Sequence, residues 1–166
     1  MIETILRELR QSEWVHVLLN PLPIYGLAIG LLALVIALIA RSRPARTMSL
    51  ILIFVCAISA WPVFETGENA YDPVLSMSDD TGQAWLKAHK ERAEKLIPVF
   101  YALAFFALAA LFAGNRWSKL SLASALLVLL IGLTTLSVGA YIGYAGGRIR
   151  HKEFRNGPPP VTSPTP

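Results

Sequence analysis

The chain has 166 residues, of which 54% are hydrophobic and only 16% are charged, and its formal net charge is +4. A soluble globular domain usually carries about 25% charged residues. This composition, with a single cysteine, excludes a soluble enzyme, a disordered chain and a secreted disulfide-rich scaffold. Nucleic acid is not an expected partner, because the basic residues flank apolar segments, where Lys and Arg contact anionic lipid.

Four segments of the chain contain no Asp, Glu, Lys, Arg or His. They are 17 to 26 residues long, and a helix needs roughly 17–25 mostly apolar residues to cross the hydrocarbon core of a bilayer. The sequence therefore predicts an all-α integral membrane protein, a four-helix antiparallel bundle whose first partner is the lipid bilayer. The four charge-free segments are 21–40, 48–64, 96–113 and 120–145.

The elements follow in chain order from these segments. Residues 1–14 are predicted to form an interfacial amphipathic helix, because Ile and Leu recur on one side of it at helical spacing. The transmembrane domain is expected over 15–155, and the third span lies within a longer helix over 81–113. The proline-rich end, 156–166, is expected to be a disordered tail.

Glycines on the predicted spans indicate where helices approach each other. Gly26 and Gly30 recur at a four-residue spacing on span one, and Gly139, Gly143 and Gly147 do so on span four. Small residues at this spacing let helix backbones pack closely in lipid. Two further expectations concern glycines near the helix ends: a backbone turn at Gly67, and an end of span four near 146–147.

Four spans place both termini and the 65–95 loop at one membrane face, here called the terminal face. The opposite loop face holds five Lys and Arg and no acid, whereas the terminal face holds the other ten basic residues and all eleven acids. A count over all loops favours a cytoplasmic terminal face, and a count over the short loops favours the reverse. Charge alone leaves the orientation open.

All three histidines of the chain are expected at the terminal face. His16 precedes span one, His89 precedes span three and His151 follows span four, each roughly 9 Å outside the apolar core if its helix continues. Neutral imidazole is the commonest ligand of transition metals and also binds haem iron. The alternative is that all three are ordinary interfacial residues.

Acidic and aromatic side chains gather at the same level. Glu68 follows span two and is a candidate metal ligand beside the histidines. Tyr141, Tyr144, Arg148 and His151 follow steps of three, four and three, so they share one face of a helix. Such a face can hydrogen-bond an anionic cofactor group, although tyrosine is also common in the aromatic belt of any membrane protein.

Several functions lose support from what the sequence lacks. No ionisable side chain lies within the charge-free spans, and such side chains are the usual mark of coupled transport pathways. A pore built by a homo-oligomer stays open. No metalloprotease, phosphate-loop, c-type haem or serine-nucleophile motif occurs, so whether the chain is an enzyme also stays open.

The segments HVLLNPLPIYGLAIG, ETGENA, HKERA and GGRIRHKEF resemble those of a group of small bacterial four-helix membrane proteins of unknown function. The likeness spans 15–154. The chain differs from the pattern of that group at two positions. It has Pro21 where members of the group frequently carry a second histidine, and Lys90 where they usually carry glutamate. The group's motif positions are matched by His16, Glu68, His89, Gly146, Gly147, Arg150 and His151.

The resemblance implies a setting for the protein. Some members of the group carry c-type cytochrome domains after the fourth helix, and such domains mature outside the cytoplasm. It therefore implies a multi-pass protein of the bacterial inner membrane, with an extracytoplasmic terminal face and a redox protein or membrane complex as partner.

The leading hypothesis from the sequence is a redox-associated membrane protein that binds haem b or a transition metal ion. Its candidate ligands are His16, His89 and His151, with Glu68 as ligand or acceptor, and His89 ranks first because it lies within a continuous helix. The competing hypothesis is a non-catalytic membrane subunit or assembly factor with no cofactor. Convergence of the histidines discriminates between the two.

Overall fold

A computed structural model describes residues 2–116 and 120–160 of the chain. The described residues form helices and contain no strand, which confirms the all-α class. The helices are α1 (Ile2–Glu8), α2 (Ser12–Leu19), α3 (Leu27–Ile39), α4 (Arg43–Ile58), α5 (Ala60–Ser76), α6 (Asp80–Arg116) and α7 (Leu120–Arg150). A π-helical turn, Leu22–Gly26, joins α2 to α3, and a 3₁₀ turn, Lys152–Phe154, follows α7.

Four helical segments are long and apolar enough to cross a membrane, as the sequence predicts. Many of their large apolar side chains face away from the protein: Ile39 is 77% exposed, Phe112 70% and Leu130 65%. Outward apolar faces of this kind match a lipid solvent. The segments are Ser12–Ile39, Arg43–Ser76, Asp80–Ala113 and Leu120–Arg150.

The apolar core joins α3, α4, α6 and α7, and it is made largely of Leu and Ala. Glycines let these helices approach: a Cβ added at Gly26 would lie 2.7 Å from Cys56 Sγ, and one at Gly30 would lie 3.0 Å from Ile53 Cγ1. Cys56 is buried, as a small hydrophobe would be. The core residues include Leu27, Leu31, Leu34, Leu50, Ile53, Cys56, Leu103, Ala107 and Val128.

Two expectations about glycines are wrong. The backbone does not turn at Gly67, because α5 continues through it to Ser76. Span four does not end at 146–147 either, since α7 runs on to Arg150. Glycine in a helix interior costs about 1 kcal/mol relative to alanine. This cost is small enough for a helix to keep a glycine where a neighbouring side chain occupies the space that a Cβ would take.

The start of span one is the least regular part of the helical structure. Pro21 and Pro23 provide no backbone N–H, and the chain widens into a π-helical turn between α2 and α3. Pro23 is buried against the protein. A π-helical turn changes the rotation of the helix before it relative to the helix after it, and such turns often occur at functional sites. The helix before this turn carries His16.

Candidate cofactor site

His16 and His89 meet between the helices at the terminal face. The centroids of their imidazole rings lie 6.3 Å apart and the ring planes cross at 83°. His16 comes from α2 and His89 from α6, so the contact joins residues that are 73 positions apart in the sequence. Of the three candidate histidines, these two are brought together by the fold.

Each of the two rings is fixed by a hydrogen bond to a neighbouring helix. His16 Nδ1 lies 2.9 Å from the carbonyl oxygen of Val63 on α5, and His89 Nδ1 lies 3.0 Å from that of Ile142 on α7. A carbonyl oxygen only accepts, so Nδ1 carries the proton and donates in both rings. In a neutral imidazole the other nitrogen, Nε2, then keeps its lone pair.

Each ring also rests on a glycine of the same neighbouring helix. A Cβ added at Gly67 would lie 3.0 Å from Cε1 and Nδ1 of His16, and one at Gly146 would lie 3.1 and 3.2 Å from the same atoms of His89. Both glycines lie four residues after the residue whose carbonyl accepts the bond. The two histidines are thus held in the same way, on two different helix pairs.

A cavity of about 440 Å³ opens beside the two rings. Volumes of this order belong to sites for small molecules and cofactors. Glu13, His16 and Asn20, which share a helix face by spacing, all line it, and so does Ala93, one turn beyond His89. Its largely apolar wall includes Ile24, Phe64, Ile97, Phe100 and Ile142.

Glu68 lies in the cavity wall as half of an ion pair. Its Oε2 accepts a hydrogen bond of 2.8 Å from Lys90 Nζ. Lys90 also lies 3.7 Å from Glu94 Oε1 and above the ring of Tyr71. The Glu68 carboxylate, a candidate metal ligand, is therefore paired with Lys90.

His151 lies away from the cavity. Its Nδ1 is 2.9 Å from Glu153 Oε1, and its ring stacks on Phe154 with centroids 5.0 Å apart. Hydrogen bonding within residue 153 itself and to His151 lowers the pKa of the Glu153 carboxyl. Because α7 continues to Arg150, His151 begins the chain segment that leaves the helix.

Tyr141, Tyr144 and Arg148 share a face of α7, as their spacing predicts, but this face is outside the cavity. The guanidinium of Arg148 lies 3.4 Å from the centroid of the Tyr144 ring. Within residues 2–116 and 120–160, no group of three His, Cys, Asp or Glu side chains is arranged to hold a metal ion.

Sequence reasoning missed the two glycines and the two carbonyl acceptors that hold the histidines. Gly67 and Gly146 are interpreted from the sequence as a turn and a helix end, because glycine usually marks those places. The sequence gives no signal against that interpretation, since Gly146 is followed directly by Gly147 and Gly67 by the segment Glu68–Asn69.

Comparison of the chain with protein-family models, curated proteins and solved structures finds no match.

Proposed function

We propose that the protein is a membrane haem protein that binds haem b between His16 and His89 and takes part in electron transfer. The geometry of the two rings carries the proposal. Each imidazole would hold the iron through Nε2, the nitrogen that the hydrogen bond at Nδ1 leaves with its lone pair. The two ring centroids lie 6.3 Å apart, so both rings would be near enough to hold one iron.

The hydrogen bonds at Nδ1 support the same function. An imidazole that ligates a metal almost always donates its other ring N–H to a carbonyl, a carboxylate or water, which fixes the tautomer and the ring orientation. Both histidines make this bond to a backbone carbonyl. The protein therefore orients both ligands before a cofactor arrives.

The number of donors favours haem over a bare transition metal ion. Haem brings its own in-plane nitrogens and needs only one or two axial ligands from the protein. A bare ion needs three or four protein ligands, and the described part of the chain offers no such group. Glu68, the expected further ligand, pairs with Lys90 instead.

The chain's own residues would do three things for a bound haem. Gly67 and Gly146 leave room for the two imidazole rings, the apolar wall keeps water away from the haem, and Arg150 in the same wall compensates the charge of the haem carboxylates. When bound, haem supplies a one-electron iron couple. The protein sets its potential through the two imidazoles and the low polarity around them.

The same proposal includes the membrane setting. The four spans form an antiparallel bundle in a bacterial inner membrane, with an extracytoplasmic terminal face, where a redox protein or membrane complex can exchange electrons with the site. Support for an interfacial α1 comes from its apolar side chains, because Ile2, Ile5 and Leu6 are all exposed. An amphipathic helix buries such a face in the headgroup region.

An absorbance spectrum of the full chain, purified in detergent after expression with added haem precursor, tests the function. The wild type is expected to show a Soret band and a haem-to-protein ratio near one. His89→Ala and His16→Ala should each lose most of the haem, with membrane insertion retained, because neither histidine lies in a charge-free segment. His151→Ala is the matched control and should bind haem normally.

Two results would contradict the proposal. A wild-type protein without a Soret band after haem supply would leave His16 and His89 as residues that fix helices, and would favour the non-catalytic membrane subunit. Unchanged haem content in both single variants would mean that haem binds elsewhere. His89→Gln tests whether hydrogen bonding at this position is sufficient, because it keeps a hydrogen-bonding group and removes the ligand nitrogen.

A further inference from the structure

Two arginines form a row with the exposed rings of Tyr141 and Tyr144 along α6 and α7, and the buried ring of Trp85 packs beside Arg148 and Tyr144. The guanidinium of Arg92 lies 3.9 Å from the ring centroid of Tyr141, and that of Arg148 lies 3.4 Å from Tyr144 and 5.3 Å from Trp85. Trp85 and Tyr144 also meet edge to face at 6.0 Å. This Arg–aromatic row is a second polar feature of the terminal face, separate from the histidine cavity.

Within residues 2–116 and 120–160, no carboxylate pairs with either arginine of the row. Arg92 Nη1 donates to the carbonyl oxygen of Tyr141, and Arg148 Nη1 donates to that of Tyr144, each over 2.9 Å. Nε of Arg148 is buried and has no hydrogen-bond partner in the described part of the chain.

Hydrogen bonds and ring contacts fix both arginine side chains of the row in position. Each arginine is bonded at one nitrogen and stacked on a ring, so little side-chain freedom is left for a ligand to remove. Tyr141 and Tyr144 are about half exposed. An anion that approaches from outside therefore meets two ordered guanidinium groups and two phenolic hydroxyls.

The row lies at the depth of lipid headgroups. Arg92 is four residues before the charge-free segment 96–113, and Arg148 is three residues after 120–145. At a rise of about 1.5 Å per residue, both α-carbons lie about 4–6 Å outside the apolar core. Phospholipid phosphates occupy this layer, and basic pockets between transmembrane helices bind anionic headgroups there.

We propose that the Arg–aromatic row, Arg92 with Tyr141 and Arg148 with Tyr144 and Trp85, is a binding site for the phosphate of an anionic phospholipid. Arginine suits this ligand, because its planar fork of donors matches phosphate oxygens. The acyl chains of the same lipid would lie along the exposed apolar side chains of α6 and α7. A free phosphate offers the same headgroup chemistry without that apolar contact.

Native mass spectrometry of the full chain in detergent tests the site, with phosphatidylglycerol and phosphatidylcholine as probes. The wild type is expected to retain phosphatidylglycerol in preference to phosphatidylcholine. A double variant, Arg92→Gln with Arg148→Gln, should lose about tenfold or more in affinity for phosphatidylglycerol, given about 1 kcal/mol for each basic residue near an anionic surface. Arg43→Gln, an exposed arginine at the start of α4, is the matched control and should change little.

A second variant covers the case in which the double glutamine variant does not fold. Arg92→Lys with Arg148→Lys keeps both charges and loses the planar fork, so it should bind phosphatidylglycerol more weakly than the wild type and more tightly than phosphatidylcholine. Equal retention of the two lipids by the wild type would overturn the proposal. An equal loss in Arg43→Gln would do the same, and so would displacement of phosphatidylglycerol by inorganic phosphate at millimolar concentration.

Discussion

The two ends of the helical core use glycine for opposite purposes. Toward the loop face, glycine brings two helices into contact: a Cβ added at Gly132 on α7 would overlap Leu31 Cδ2, and the core there is closely packed. At the terminal face, Gly67 and Gly146 bring a helix into contact with an imidazole ring, beside an open cavity. One end is filled by leucine and the other is kept open around two histidines.

The difference shows how close helix packing and an open cavity can share one set of helices. Glycine in a helix interior costs about 1 kcal/mol relative to alanine wherever it occurs. Near Gly132 this cost is offset by apolar contact between the helices, which contributes to stability. At Gly67 and Gly146 the glycine makes room for an imidazole ring, and the cavity beside the ring lacks the van der Waals contacts that a filled space would provide. The terminal end is therefore the less completely packed end, with a cavity beside the two histidines.

The largest expected effect comes from filling the two glycine positions under the rings. Gly67→Val and Gly146→Val place branched carbons where Cε1 and Nδ1 of His16 and His89 now lie. Each ring must move and lose its bond to Val63 or Ile142, so both variants should lose most of their haem. The haem-to-protein ratio of the purified variants, measured from the Soret band, checks this.

Gly147→Val is the matched control for the valine substitutions. It alters the residue next to Gly146 on the same helix, but among the described residues its Cβ would contact Phe154 Cδ2 alone, at 3.8 Å. Haem binding should survive there. If Gly147→Val lost as much haem as Gly146→Val, the cause would be a general effect of valine near the end of α7, and the role given to Gly146 would be wrong.

The sequence was sufficient to predict the spans because the signal for a span is local. A charge-free run of about 20 residues is by itself apolar enough to cross a membrane. The four predicted segments match the four spanning segments of the structure, except that the first extends one residue past Ile39. The common level of the histidines was also predictable, since alternating spans bring 16, 89 and 151 to one face. The structure brings His16 and His89 together there.

The remainder of the site depends on how helices are rotated and aligned against each other, which a single sequence does not contain. The π-helical turn at Leu22–Gly26 alters the direction of His16, and no spacing rule gives that rotation. The role of Gly146 depends on which residue of α6 lies opposite it. The separation of His151 follows from the extra turn of α7 and from local contacts with Glu153 and Phe154.

A moderate loss of stability is expected from a substitution at Gly132, where α7 packs against Leu31. Gly132→Ala adds a methyl group that overlaps Leu31, which is buried, and overpacking of this kind typically costs about 1–3 kcal/mol. Gly143→Ala on the same helix is the control, because its Cβ would lie 3.6 Å from Ile24 Cδ1, an ordinary contact distance. The same change in helix propensity applies to both substitutions.

Reversible unfolding in mixed detergent micelles measures this pair of variants. Gly132→Ala should be less stable than Gly143→Ala, and its haem spectrum should match that of the wild type. Equal stability would show that the helices can separate at no cost near Leu31. A changed spectrum in Gly132→Ala would contradict the independence of the two ends.

The smallest effect concerns a polar latch that ties the end of the described chain to the start of α6. Arg155 Nη1 lies 2.9 Å from both carboxylate oxygens of Asp79, and its Nε and Nη2 donate to the carbonyl oxygens of Arg148 and Ile149. The bond from Arg155, and then that from the Gly82 N–H, hold the pKa of the Asp79 carboxyl well below its usual range. These contacts also satisfy carbonyls at the end of α7 that have no helical partner.

The sign of the pH dependence follows from the lowered pKa of Asp79. A carboxyl whose pKa is lower in the folded chain adds stability at pH values above its ordinary pKa of about 4, and this stability is lost as the pH falls through the folded value. The latch should therefore stay closed from neutral pH to below pH 4. Because Asp79 is on the surface, the effect on global stability should be small.

Limited trypsin digestion at neutral pH tests the latch directly, since closure covers the guanidinium of Arg155, whose side chain is only 9% exposed. Asp79→Asn should speed cleavage after Arg155, because the neutral amide gives up the ion pair with that residue. Asp80→Asn is the matched control: it removes a neighbouring acid from the first turn of α6 and leaves the ion pair intact. Cleavage at the wild-type rate in Asp79→Asn would mean that the two carbonyl bonds alone hold Arg155, and that the carboxylate adds nothing to the closure of the latch.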